Sequence, residues 1–117
     1  MKIPKLIDLL EEMNDDEKAS LVRNYNPTDA DTLDKIVDNS PYEHQWLLRL
    51  NVAKHPNTSA DTLDKLADDN NDRVRMEVLN NRNTSEKTIR KLKKDKNKHI
   101  QFAASRRYNY GETGWQL

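Results

Sequence analysis

The tetrad Thr32-Leu33-Asp34-Lys35 returns unchanged as Thr62-Leu63-Asp64-Lys65, and in altered form as Thr88-Ile89-Arg90-Lys91. A second element follows each copy. Leu48-Arg49 with Val52-Ala53 matches Val74-Arg75 with Val78-Leu79, and then Ile100-Gln101 with Ala104-Ser105. Three units result, residues 28–57, 58–83 and 84–109. Self-similarity at this short period marks a solenoid, in which each unit buries its apolar face only against its neighbours. Such an architecture works by presenting a surface.

Composition agrees with thin layers. The chain has 117 residues, enough for one compact domain, and only 34% of them are hydrophobic. Leu, Ile, Val and Phe together number 24, close to the range of disordered chains. The apolar residues are nevertheless periodic and the net charge is zero, which argues for folding. Cysteine is absent, which excludes disulfides, thiolate metal sites and cysteine nucleophiles. No apolar run approaches membrane-spanning length and no signal-peptide stretch opens the sequence, so a cytoplasmic protein that does not engage a membrane is expected.

The zero net charge conceals an asymmetry. Residues 1–72 hold 8 Lys+Arg against 16 Asp+Glu, while residues 73–117 hold 12 against 4. In a solenoid, order along the chain is order in space, so one end should be acidic and the other basic. A polar partner at one end, or head-to-tail self-association between copies, would use that polarity; surface solvation is the plainer explanation.

Helices are expected throughout. No glycine precedes Gly111, and strand-like alternation is missing. Thr28, Thr58 and Thr84 stand as candidate N-caps of the first helix of each unit, with Asp31 and Asp61 three residues later near the positive helix end. The i, i+3 pairs Leu33/Ile36, Leu63/Leu66 and Ile89/Leu92 then form one buried stripe per helix. Ser40-Pro41-Tyr42-Glu43 reads as a capping box opening the second helix of the first unit, with counterparts near Asn71 and Asn97. The first unit is four residues longer around Pro41 to His44. Residues 1–27 read as an N-terminal helical cap, with Ile3, Leu6, Ile7 and Leu10 on one face and a cap signal at Asn14 to Glu17. Residues 110–117 form a tail whose Trp115 either folds back on the last unit or remains disordered.

The string Asn51-Val52-Ala53-Lys54-His55-Pro56-Asn57-Thr58, followed by Leu63-Asp64-Lys65-Leu66-Ala67-Asp68-Asp69 and Val74-Arg75, resembles the variant leucine-rich repeat family, close to HEAT-like repeats. The resemblance covers about residues 27–107 and is weakest in the third unit, where Asn83-Thr84 lacks the proline. It implies an all-α, short right-handed α-solenoid of about three two-helix repeats. Some members carry a cysteine-ligated iron–sulfur cluster, which this chain cannot hold, so no cofactor is expected. The family has no single activity and implies no function.

Arg49 and Arg75 fall inside the apolar arc of the second helices. Either they form a ligand-binding row, or they form a structural ladder with acids of the first helices such as Asp34, Asp38, Asp64 or Asp68. In the third unit the arginine becomes Gln101 while Arg90 and Lys94 replace the acids, so both sides vanish together and the structural ladder is preferred. Lys93, Lys94, Lys96 and Lys98, with Lys91, Arg90, Arg106 and Arg107, form the one dense basic cluster. They are candidates for a partner surface, protein or nucleic acid, against the alternative of a solvated terminal cap. Tyr42 and Trp46 flank the insertion as an interface anchor or as residues packed under a loop. His44, His55 and His99 match no metal-ligand spacing, and neither a nucleophile motif nor a glycine-rich phosphate loop is present. The expectation is a non-catalytic module that binds another protein, with nucleic-acid binding through the basic end as the alternative.

Overall fold

The first helix of each unit begins one residue later than the threonines suggest. The computed structural model describes residues 12–24 and 28–112. In it α1 spans Asp15–Asn24, α2 Ala30–Asp38, α3 Trp46–Lys54, α4 Ala60–Leu66, α5 Asp72–Asn80, α6 Glu86–Leu92 and α7 Lys98–Glu112. The N-caps of α2, α4 and α6 are Asp29, Ser59 and Ser85, whose side chains accept from the amides of Thr32, Thr62 and Thr88 at 2.8, 3.2 and 3.3 Å. Thr28, Thr58 and Thr84 are therefore not caps of the helix that follows. Thr58 and Thr84 close the helix that precedes them, their hydroxyls donating to the Val52 and Val78 carbonyls. The same two carbonyls accept from the amides of His55 and Asn81. Carbonyls at a helix end need partners, and these threonines supply them from three residues beyond the C-caps His55 and Asn81.

The second helices start as their asparagines predict, with one exception. Asn71 Oδ1 accepts from the Arg73 amide at 2.8 Å, and Asn97 Oδ1 from that of His99 at 2.8 Å. At α1 the Asn14–Glu17 spacing forms a reciprocal box, with bonds of 2.8 and 3.2 Å. The exception is Ser40, which is not a cap. A 3₁₀ turn over Glu43–Gln45 precedes α3, and the Tyr42 amide donates to Gln45 Oε1. The four-residue insertion displaces the helix start, leaving the buried Ser40 hydroxyl without a partner.

Among the described residues the fold is all-helical, with no strand. Each first helix packs on the second helix of its own unit: α2 on α3, α4 on α5 and α6 on α7. The second helices also pack in series, α1 on α3, α3 on α5 and α5 on α7. Leu33, Leu63 and Ile89 occupy equivalent buried positions, as do Ile36, Leu66 and Leu92. They meet Val52, Val74, Val78, Ile100 and Ala104 in one continuous core. Each such aliphatic side chain contributes about 1.5–3 kcal/mol on burial. α7 continues through the expected unit boundary to Glu112. The expected N-terminal helix over Ile3 to Leu10 and the placement of Trp115 lie outside the described residues. No described helix is long and apolar enough to cross a membrane.

Candidate binding surfaces

The repeated tetrad is the joint between layers. Thr62 Oγ1 donates to Asp34 Oδ1 at 2.7 Å, and Lys65 Nζ lies 2.9 Å from Asp34 and 3.4 Å from Asp38. One unit on, Thr88 Oγ1 donates to Asp64 Oδ1 at 2.7 Å, while Lys91 Nζ lies 3.2 Å from Asp64 and 3.0 Å from Asp68. The lower helix thus offers acids at i and i+4, and the upper helix answers with threonine at one position and lysine three later. Burial works against the charge on Asp34, but the Thr62 hydroxyl and the Lys65 ammonium more than offset it, so its pKa falls below the ordinary carboxylate value. At Asp64 the Thr88 hydroxyl is the largest cause of the same downward shift, with Lys91 adding to it. Lys65 is correspondingly raised, chiefly by its bond to Asp34.

The arginine ladder uses different acids from those expected. Arg49 Nε lies 2.6 Å from Asp69 Oδ2, and Arg75 Nε lies 2.8 Å from Asp95 Oδ2. Both guanidinium groups are forked, with second bonds to the same carboxylates at 3.2 and 3.1 Å. Asp34, Asp38, Asp64 and Asp68 belong to the lysine joints instead, each bonded to the lysine of the next first helix. The remaining guanidinium nitrogen turns back to backbone carbonyls, those of Ser40 and Tyr42 for Arg49 and of Asp69 and Asn70 for Arg75. Gln101 keeps only this backward bond, to the Asp95 carbonyl. The sequence pairing also needs correction: Asp95 remains in the third unit, and it is the partner that Arg75 requires. Where the arginine position holds Ala19, the acid position twenty residues on holds Asn39. These groups are buried and mutually satisfied.

Asparagines tie the turns together. Asn83 Nδ2 donates to the carbonyls of Pro56 and Thr58 at 2.7 and 3.0 Å, and Asn57 Nδ2 reaches that of Thr28 at 3.1 Å. Asn81 Nδ2 bonds the carbonyls of Ala53 and His55 at 2.8 and 2.9 Å. His55 is buried, with Nδ1 accepting from the Asn57 amide.

Two surfaces remain. The first lies on the second helices. Leu50, Met76 and Phe102 occupy equivalent positions on α3, α5 and α7, which pack side by side. Leu47 and Phe102 are 51% and 67% exposed. The Arg73 guanidinium stands 5.6 Å from the ring centre of Trp46, and that of Arg106 stands 5.8 Å from that of Phe102. Trp46 is half-buried beneath Arg73, whereas Tyr42 is exposed and stacks on His44. Of the two expected anchors, Trp46 joins this face and Tyr42 stands on the insertion. The sequence reading missed Leu47, Arg73 and Met76, although comparison of the units at positions 50, 76 and 102 exposes the row.

The second surface is the basic end, which divides into parts. Lys87, Arg90, Lys91, Lys93 and Lys94 line an open cavity of about 830 Å³ on α6. Lys96 lines a polar cavity of about 450 Å³ with Glu43, Asn70, Asn71, Asp72, Arg75 and Asn97, and shares a smaller one of about 270 Å³ with Lys91, Lys94 and the carboxylates of Asp68, Asp69 and Asp95. Lys98 and Arg106 are exposed on α7. Arg107 is withdrawn from the surface expected for it: half-buried, it donates to the Leu79 carbonyl, and burial lowers its pKa. Lys87 was the missing member of the α6 group, legible as the residue one turn before Arg90. Comparison with known protein families, curated proteins and solved structures finds no match.

Proposed function

We propose that this chain is a short α-solenoid of three two-helix units that binds another protein without catalysing a reaction. The resemblance to variant leucine-rich repeats and HEAT-like repeats supports the architecture. So do the series α1, α3, α5, α7 and the recurrence of one joint chemistry from layer to layer. The observation that carries the function is the row on the second helices, in which Leu47 and Phe102 are exposed while Leu50 and Met76 are half-buried against the core. Leu47, Leu50, Met76 and Phe102 run along it, with guanidinium groups held over two of its aromatic rings. Aromatic, methionine and arginine side chains are the types enriched in protein interfaces.

The test compares the native protein with a Leu47→Glu/Phe102→Glu variant. Both side chains are exposed, so the helical circular dichroism signal should be unchanged. The native protein should capture a partner from a native lysate, confirmed by direct binding of the purified pair, and the variant should lose it. Equal recovery by both proteins removes this face as the interface.

Nucleic-acid binding is the second reading, favoured by the five cations lining the α6 cavity. No aromatic side chain lines that cavity to stack a base. A mobility shift that weakens steeply with salt would establish it.

A further inference from the structure

One stripe of the first helices changes sign at the last unit. In α2 the positions i, i+3, i+4 and i+7 hold Asp31, Asp34, Lys35 and Asp38, and in α4 and the turn after it they hold Asp61, Asp64, Lys65 and Asp68. In α6 and the turn after it the same positions hold Lys87, Arg90, Lys91 and Lys94. Within each helix these positions share one face, and in the second and third units Asp68 and Lys94 stand in the turn that follows it. Three carboxylates with one lysine thus become four cations. The change falls on the positions that make the joint: Arg90 stands where Asp64 accepts Thr88 and Lys91, and Lys94 where Asp68 accepts Lys91.

We propose that the outer face of α6 docks an acidic helix of a partner protein, laid on α6 as α6 is laid on α4. The joint below shows what such a layer must supply. A helix resting on Asp64 and Asp68 brings a lysine; a helix resting on Arg90 and Lys94 must bring carboxylates, three or four residues apart on one face. A helix carrying lysine at that place would meet like charge, so a further copy of this chain's own Thr-Leu-Asp-Lys layer is disfavoured. Its five cations line a cavity of about 830 Å³ with no carboxylate in that lining, Lys91 being already held from below by Asp64 and Asp68. Exposed ion pairs contribute little singly, so specificity must come from several acids in register with the stripe. This surface is separate from the row on the second helices, and the inference stands if that row proves silent.

The test uses two fluorescein-labelled alanine-based peptides of about 18 residues, long enough to hold helix. One carries glutamates at i, i+4 along one face; the other has the same composition with its glutamates spread around the helix. Fluorescence anisotropy should show the striped peptide binding about tenfold more tightly than its isomer, with affinity falling as salt rises. An Arg90→Asp/Lys94→Asp protein restores the acids of the previous layer, so it should fold, and should lose about tenfold or more in affinity. Arg90→Lys should retain binding, and the Leu47→Glu/Phe102→Glu protein should bind as the native one does. Equal binding of the two peptides, or unchanged affinity in the double aspartate variant, overturns the proposal. So does tighter binding of single-stranded DNA or pyrophosphate at the same residues, which would make the face a phosphate site. Sedimentation showing concentration-dependent dimers abolished by Arg90→Asp/Lys94→Asp would make the occupant a second copy, and overturns it equally.

Discussion

Arg75 binds Asp95, twenty residues further along the chain, through two nearly parallel bonds of 2.8 and 3.1 Å, both side chains being about 95% buried. Arg49 holds Asp69 in the same way and at the same separation. A charge so enclosed is tolerated because every partner is present. The carboxylate of Asp95 also accepts from the Asn97 amide, and the guanidinium also donates to two carbonyls.

Breaking that pair from either side should therefore be costly. Arg75→Met and Asp95→Ala should each lose about 3–5 kcal/mol in urea unfolding, because each strands a buried charge. The double variant should lose much less than the sum, giving a coupling energy of about 0.5–3 kcal/mol or more in a double-mutant cycle. Additive losses would mean that the two groups do not depend on each other.

The threonines that close the preceding helices offer a sharper test of local chemistry. Thr58→Val keeps the shape but leaves the Val52 carbonyl with one fewer donor, and should cost about 1–3 kcal/mol. Thr58→Ser keeps the hydroxyl and should recover most of that loss. Ser59→Ala, which removes the true cap of α4, should cost about 1 kcal/mol. Equal stability of the valine and serine variants would show that the hydroxyl is idle.

The joints predict stability that falls at both extremes of pH. The folded pKa values of Asp34 and Asp64 lie below their unfolded values, so their contribution is complete above about pH 4 and is lost as pH falls through the folded values. Lys65 and Lys91 are raised, so theirs is complete below about pH 10 and is lost as pH climbs through the folded values. Asp64→Asn should flatten the acid limb of a thermal-midpoint profile. An unaltered limb in that variant would place acid sensitivity elsewhere.

Core and surface should separate cleanly. Leu63 is fully buried, and Leu63→Ala should cost about 2–5 kcal/mol, as core truncations do. Phe102 is largely exposed, and Phe102→Ala should stay within about 0.5 kcal/mol of the native stability while weakening any partner held by the second-helix row. A large loss of stability from Phe102→Ala would show that the ring serves the fold.

Helix content and the buried stripe were readable from the order of residues alone, because 3.6-residue periodicity and recurring caps are local properties. Leu33, Leu63 and Ile89 could be assigned to the interior on that basis. So could the presence of a ladder at Arg49 and Arg75, since a cation within an apolar arc demands a partner. The identity of the partner was not local. Asp64 and Asp95 are equally acidic on paper. Asp64 is met by Thr88 and Lys91 of α6, while the turn before α7 carries Asp95 to Arg75. The same holds for the basic end, a single run of charge in sequence that packing divides. Arg107 goes inward to the Leu79 carbonyl, Lys96 to the turn beside Arg75, and Lys87 and Arg90 outward along α6. Periodicity determines which face a residue occupies; only the neighbouring helix decides what that face meets.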